Sequence, residues 1–317
     1  MQFINIKQLS EALIKRNQTL EKLESIVNTN GFIRVEPDYF EPYERFIQMN
    51  KRIQKETLVK ILNSDGSISI LRPDITTNLI KQIIPKWGMD NELKVYYIAS
   101  TFRQPLMQPV VETKQLGVEY LGGTIAVDQD IIDLILSIFD VFELPFMLEV
   151  GQQSFLSTVI KKLQLNETKE TELKSIIDYK NQDALTMFIQ TLKGNSIEKD
   201  ILSKIFKLQG SMENIQKELK GLILDTTLVE AIQQLKVIES NLELKKRGLR
   251  VTFDLSMLSK FDYYDGITFK GYIQGIHYPI LNGGRYDALT EEYGKKIPAT
   301  GFSIDLTALI NEVIKDE

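Results

Sequence analysis

An α+β fold of mostly antiparallel strands, split by a long helical insertion, is what this sequence predicts, and three observations carry the prediction. Two β-rich runs meet at an Asp65–Gly66 turn (TLVKILNSDGSISILRPD), and two more flank a proline-bearing loop between Tyr96 and Gly123. From about Phe155 to Lys246 proline vanishes and Lys, Glu, Gln and Leu dominate, the character of helices. At Gly248 the β pattern returns and continues almost to the end. The expected partition is therefore a core first part over 1–154, a helical insertion over 155–247 and a core second part over 248–317.

Taken in order, Leu13, Leu20, Leu23, Ile26 and Val27 recur at helical spacing between Ser10 and Asn28, and Gly31 stops that helix. A short extended piece with two prolines leads into a second helix around Tyr43 to Met49. The hairpin follows, and its second strand runs into LRPDIT and a helix through Ile84. Asp74 or Thr76 can cap that helix, or equally hold a ligand's ammonium group. Asp128 opens a strongly apolar helix through Phe142 that should cover a sheet, PFMLEVGQ reads as a buried strand, and the chain closes with a helix from about Leu306 to Ile314.

Composition excludes several chemistries. At 317 residues the chain can bury a full core and carry an insertion or second domain, and its 43% hydrophobic and 26% charged content is that of an ordinary globular protein. A net charge of −5 provides no basic field, so strong nucleic-acid binding is not expected. Absence of cysteine removes disulfides, thiolate metal sites and cysteine nucleophiles. His277 is the single histidine, so histidine metal clusters are out too; its setting (GYIQGIHYPILNGG) reads as a hydrogen-bonded structural residue. No apolar run is long enough for a signal peptide or a membrane span, so a soluble cytoplasmic protein is expected, without membrane contact, metal or cofactor.

The informative stretch is YYIASTFRQPLMQPVVETKQLGVEYLGG. Period-2 alternation on its second strand puts Leu116, Val118 and Tyr120 on one face and Gln115, Gly117 and Glu119 on the other. An amide and a carboxylate flank a glycine that would let a ligand approach the backbone, and Arg103 closes the preceding strand, near enough to aim a cation at the same place. That is the outline of an amino-acid pocket; it is also the pattern of a strand with a solvated outer face.

LRPDIT, FR followed by QLGVE, DYYDGITF, and NGGRYDAL followed by PATGFSIDL occur in the order found in the catalytic core of histidyl-tRNA synthetase, a class II synthetase, which the chain resembles over nearly everything outside the insertion. The resemblance implies a class II-like six-stranded antiparallel sheet flanked by helices, dimerising through the region around Gly31 to Tyr43. It also implies a histidine pocket formed by Asp74, Thr76, Arg103, Gln115, Glu119, Tyr263 and Tyr264, with Tyr286 added.

The departures from that family bear on ATP. Ser259 stands where the synthetases place an arginine, Gln104, Pro105 and Leu106 follow Arg103 without the family's Glu and Arg, and Asp305-Leu306-Thr307-Ala308 replaces Gly-Leu-Glu-Arg. One preorganised charge is typically worth about 2.7 to 4 kcal/mol of transition-state stabilisation, so losing several should leave no useful adenylation and no catalytic residues. The chain ends at Glu317, without room for an anticodon-binding domain. A histidine pocket without ATP chemistry is similar to the ATP phosphoribosyltransferase regulatory subunit family. That resemblance implies a pseudoenzyme in histidine biosynthesis: a homodimer within a hetero-oligomer, partnered with a short-form catalytic subunit and with L-histidine as allosteric feedback effector. Two other readings compete, an active histidine ligase core and an interaction protein whose pocket is empty.

Overall fold

Apolar spacing and polar caps place the helices, and the caps fix their first turns. The protein is described here by a computed structural model covering residues 5–49, 53–88, 91–123, 127–194, 196–244, 250–259 and 263–315. Helix α1 (Ile6–Thr29) starts one turn earlier than its apolar spacing predicts, because Asn5 and Gln8 form a capping box, each side chain accepting from the other's backbone N–H. Gly31, at φ +84°, follows its end.

Next come β1 (Ile33–Arg34), β2 (Phe40–Pro42), α2 (Tyr43–Met49), the hairpin strands β3 (Lys60–Leu62) and β4 (Ile68–Leu71), and α3 (Thr76–Ile83). Strands β5 (Leu93–Arg103) and β6 (Val111–Leu121) form the long hairpin, followed by α4 (Val127–Val141) and β7 (Phe146–Gln152). Residues 153–244 supply α5 (Gln153–Lys162), α6 (Glu167–Asp178), α7 (Gln182–Thr191), α8 (Ile197–Lys204), the short β8 (Gln209–Gly210), α9 (Met212–Leu219) and α10 (Thr226–Leu244). The last part holds β9 (Val251–Asp254), β10 (Ile267–Ile273), β11 (Leu281–Arg285), α11 (Asp287–Glu292), β12 (Ala299–Asp305) and α12 (Leu306–Lys315).

These elements divide into two compact units, the first comprising Met1–Phe146, Phe261–Tyr263 and Tyr272–Glu317, the second Met147–Lys260 and Tyr264–Gly271. In the first, the strand order is β1-β5-β6-β12-β11. The β5/β6, β6/β12 and β12/β11 pairs are antiparallel as expected, but β1 runs parallel to β5, so the sheet is mixed. One face buries Leu116, Val118, Tyr120 and Phe302 beneath α1, α4 and α12. Against the other face, Ile75 and Leu79 at α3 pack on Tyr97 and Ala99 of β5.

A smaller antiparallel sheet, β2-β4-β3, encloses Phe46, Ile53, Leu58 and Ile70. Beside it Arg72 is 2% exposed and donates to three carbonyls, Nε to Ser100 at 2.7 Å and Nη1 to Pro37 at 2.5 Å and Asp38 at 3.0 Å, besides bonding the Tyr39 side chain. Its guanidinium also lies 4.4 Å from the centre of the Tyr39 ring.

The second unit is helical apart from short strands, with β7 parallel to β9 and β8 antiparallel to β9. Asn166, Asn181, Ser196 and Ser211 each cap the helix that follows, and each helix buries a narrow apolar stripe such as Leu173 and Ile177, or Met212, Ile215 and Leu219. Among the described residues, no helix is long and apolar enough to cross a membrane.

His277 differs from its sequence reading. It is exposed in the bend after β10 and its side chain makes no hydrogen bond among the described residues.

Candidate ligand-binding site

Sheet register builds the site. Glu119 on β6 pairs with Gly301 on β12, and Gly301 with Gly284 on β11, so the Glu119 side chain lies over two positions without side chains. A Cβ on Gly301 would stand 2.2 Å from Glu119 Oε2 and 2.3 Å from the Val118 carbonyl oxygen, which is why this position takes glycine. Glu119 is 1% exposed. Its oxygens are divided between two hydroxyls: Thr76 Oγ1 donates to Oε1 at 2.6 Å, and Tyr286 OH donates to Oε2 at 2.5 Å.

Burial pushes the Glu119 carboxyl up to about 8, against the two hydroxyl bonds that favour its charged form, and the nearby Asp74 charge adds to the rise. Of the two roles open to it in the sequence, Asp74 takes the cap. Its Oδ2 accepts from the Thr77 N–H at 2.9 Å and so caps α3, while Oδ1 accepts from Tyr263 OH at 3.2 Å. The Tyr263 and Tyr286 rings meet edge to face, 6.0 Å apart at 76°, and close an aromatic wall.

Five of the eight expected residues therefore form two hydrogen-bonded sets, Thr76–Glu119–Tyr286 and Asp74–Tyr263, that meet where the two tyrosine rings touch. Arg103 approaches the cluster from the Asp74 side, with its backbone well along the hairpin from Glu119. In the β5/β6 register it pairs with Val111 while Glu119 pairs with Val95, eight residues back, or roughly 26 Å along a strand at about 3.3 Å per residue. Its guanidinium donates to the Pro73 carbonyl at 3.2 Å and faces Asp74 and Tyr263 of the cluster; burial lowers its pKa, with Asp74 and then Tyr263 opposing. Gln115 shares the face of Glu119 and is half-buried, paired with Ala99 and Asp305. Tyr264 is a half-buried residue of the second unit.

Gly117 needs a different explanation from ligand approach. A Cβ there would fall 1.9 Å from Cζ of Tyr97, its cross-strand partner, so the protein's own ring takes the space. Sequence reading missed Tyr97 and Gly301. The signal for Gly301 was present, since it sits in alternation with Ser303 on a strand of the fourth motif, but its partner is 182 positions away in the chain.

The positions that depart from the synthetases are also on view. Asp305 Oδ1 accepts from the backbone N–H groups of Thr307 and Ala308 at 2.9 and 3.0 Å, so the N-terminus of α12 is occupied by a carboxylate of the same chain. Ala308 is buried, and Ser259 is buried in the second unit. No metal-binding group of three or more His, Cys, Asp or Glu occurs among the described residues.

The fold is that of a class II aminoacyl-tRNA synthetase-like protein, and the comparisons agree. A family model described as histidyl-tRNA synthetase matches residues 6–309. The ATP phosphoribosyltransferase regulatory subunit of Bacillus mycoides is 31% identical across 93% of this chain and 70% of its own length, and that of Oceanobacillus iheyensis 26% identical across 97% and 76%. The chain belongs to the histidyl-tRNA synthetase family, in its group of ATP phosphoribosyltransferase regulatory subunits.

Among solved structures, a Bacillus halodurans protein described as an ATP phosphoribosyltransferase regulatory subunit/histidyl-tRNA synthetase aligns at TM-score 0.84, 24% identity, over 99% of this chain and 82% of that one. A histidine–tRNA ligase subunit from Alicyclobacillus acidocaldarius aligns at TM-score 0.81, 19% identity, over 100% and 96%. At these identities the two structures speak for the fold.

Proposed function

We propose that this chain is a non-catalytic regulatory subunit that binds L-histidine in the Glu119 cluster and carries feedback inhibition to a short-form ATP phosphoribosyltransferase catalytic subunit, whose full activity requires it. Its regulatory role in histidine biosynthesis follows from the family. Histidine as effector is supported by the chemistry of the cluster. Asp74 and Arg103 offer opposite charges to the two ends of an amino acid's backbone, and the dry end near Glu119, walled by Tyr263 and Tyr286, suits a small ring with polar nitrogens. Thr76 orients Glu119, and Gln115 completes the proposed set within the first unit. Histidine would act by binding the inhibited assembly more tightly than the active one, which shifts the population between them.

The observation that carries the non-catalytic half is the Asp305 carboxylate on the N-terminus of α12. A developing phosphate charge needs fixed donors and cations, and here an anion of the protein has claimed the donors while Ala308 supplies no charge. Exposed Ile33, Tyr39 and Phe40 support a homodimer through the stretch between Gly31 and Tyr43. The expected assembly is cytoplasmic and free of nucleic acid.

The test is co-expression with the organism's catalytic phosphoribosyltransferase. Turnover should need this chain and should fall on adding histidine, and the chain alone should show no histidine-dependent exchange of pyrophosphate into ATP. Robust exchange would instead favour a ligase core.

A further inference from the structure

A cavity of about 440 Å³, a volume usual for small-molecule sites, lies wholly within the second unit, lined by α5, α6 and Leu258. Helical spacing sorts its walls. Gln153, Ser157 and Lys161 stand one turn apart along α5 and form a polar stripe, while Ile160 and Leu258, both buried, supply apolar surface. From α6 come Glu170 and Lys174, also one turn apart.

The two lysines are not equivalent. Lys174 Nζ is tied to Glu170 Oε1 at 2.5 Å. The Lys161 side chain has no partner among the described residues, although Lys162 beside it is bound to Asp225. The stripe before it also keeps bonding capacity. Gln153 Oε1 is a buried acceptor without a donor, and the last torsion of a glutamine is soft enough to turn either end of its amide toward the cavity. Ser157 Oγ donates to the Ser154 carbonyl at 3.3 Å and retains its lone pairs for a further donor.

We propose that this cavity binds a phosphorylated sugar, its phosphate on Lys161 and its hydroxyls on Gln153 and Ser157. An ammonium serves phosphate as a point charge. Amide and hydroxyl side chains offer donors and acceptors together, as sugar hydroxyls do, and the C–H edges of the sugar meet Ile160 and Leu258. Ser157 and Gln153 precede Lys161 by about 6 and 12 Å along the helix, at roughly 1.5 Å per residue, which sets hydroxyls and phosphate of one small molecule against the same stripe. Lys161 and Lys174 against Glu170 leave the lining one positive charge in a chain of net charge −5, so the attraction is local to the cavity.

The experiment is titration calorimetry of ribose 5-phosphate into the full-length protein, with ribose and inorganic phosphate as partial ligands and a thermal melt of every variant. Saturable binding, weaker by about tenfold or more for either partial ligand and for Lys161→Ala, supports the proposal. Glu170→Gln removes the anion and releases Lys174, and should tighten binding by about threefold. Adenosine 5′-monophosphate separates two sources of the same chemistry: tighter binding than ribose 5-phosphate assigns the sugar to a nucleotide, weaker binding to a free sugar phosphate, and both uphold the site. No saturable heat from either phosphate ester overturns the proposal, as does a titration of cooperatively melting Lys161→Ala that matches the wild type. Histidine affinity should be the same in Lys161→Ala as in the wild type, so failure here leaves the histidine reading standing.

Discussion

Asp128 and Glu119 are both buried carboxylates of the first unit, but their surroundings differ. Asp128, at the start of α4, is clasped by Arg285, whose Nε and Nη2 reach Asp128 Oδ1 at 3.2 and 2.9 Å while Nη1 turns to Asp287 at 3.2 Å. Burial raises Asp128, with Arg285 opposing; desolvation pulls Arg285 down, but Asp128 and Asp287 together carry it above its ordinary value. Glu119 meets hydroxyls in place of a cation. The first arrangement is complete within the protein, so its energy goes into holding β11 against α4. The second has no cation of its own beside it among the described residues, which is what the histidine site proposed there would use.

The contrast can be broken at five points, taken from the largest expected effect to the smallest. Arg285→Ala strands Asp128 and should cost about 3 to 5 kcal/mol of unfolding free energy in urea; a loss under about 1 kcal/mol would show that the pair is not a brace. Glu119→Ala should instead weaken histidine binding by roughly 2 to 5 kcal/mol, and a calorimetric titration like that of the wild type would remove Glu119 from the site. Gly301→Ala forces a methyl into the Val118 carbonyl and the Glu119 carboxylate, an overpacking that should destabilise by about 1 to 3 kcal/mol and weaken binding at the same time.

The fourth point is pH. Glu119 is raised from 4.5 in its unperturbed state to about 8 in the fold. Across that window the native state holds a proton that the unfolded chain has released, so this residue makes stability fall as pH rises, by at most about 1.4 kcal/mol per unit. The slope should be missing from Glu119→Gln, whose unfolding free energy subtracted from that of the wild type isolates it. Finally, Asp305→Ala removes the cap of α12 and should cost about 1 kcal/mol in thermal melts, with no change in histidine affinity.

Much of this was legible in the chain because it is local. The period-2 pattern separated Leu116 and Val118 from Gln115 and Glu119, Asp65 and Gly66 marked their turn, and Asp74 announced a cap that the Thr77 N–H indeed uses. What escaped depends on register between distant strands. Arg103 and Glu119 are 16 residues apart and look adjacent in a hairpin, but antiparallel pairing carries them away from each other with every step from the tip. Gly117 looked like an opening for a ligand because its occupant, Tyr97, lies on the facing strand. Arg72 belonged to a recognised motif, but nothing local told of a buried arginine bonded to carbonyls of Pro37, Asp38 and Ser100.

That arginine has a consequence for how the unit responds to its surroundings. Guanidinium keeps its proton throughout the range in which proteins stay folded, and main-chain oxygens do not titrate at all. The knot joining the segment before β2 to strand β5 is therefore blind to acidity. The site proposed at Glu119 is thus built on a frame with no proton of its own to exchange as the pH changes.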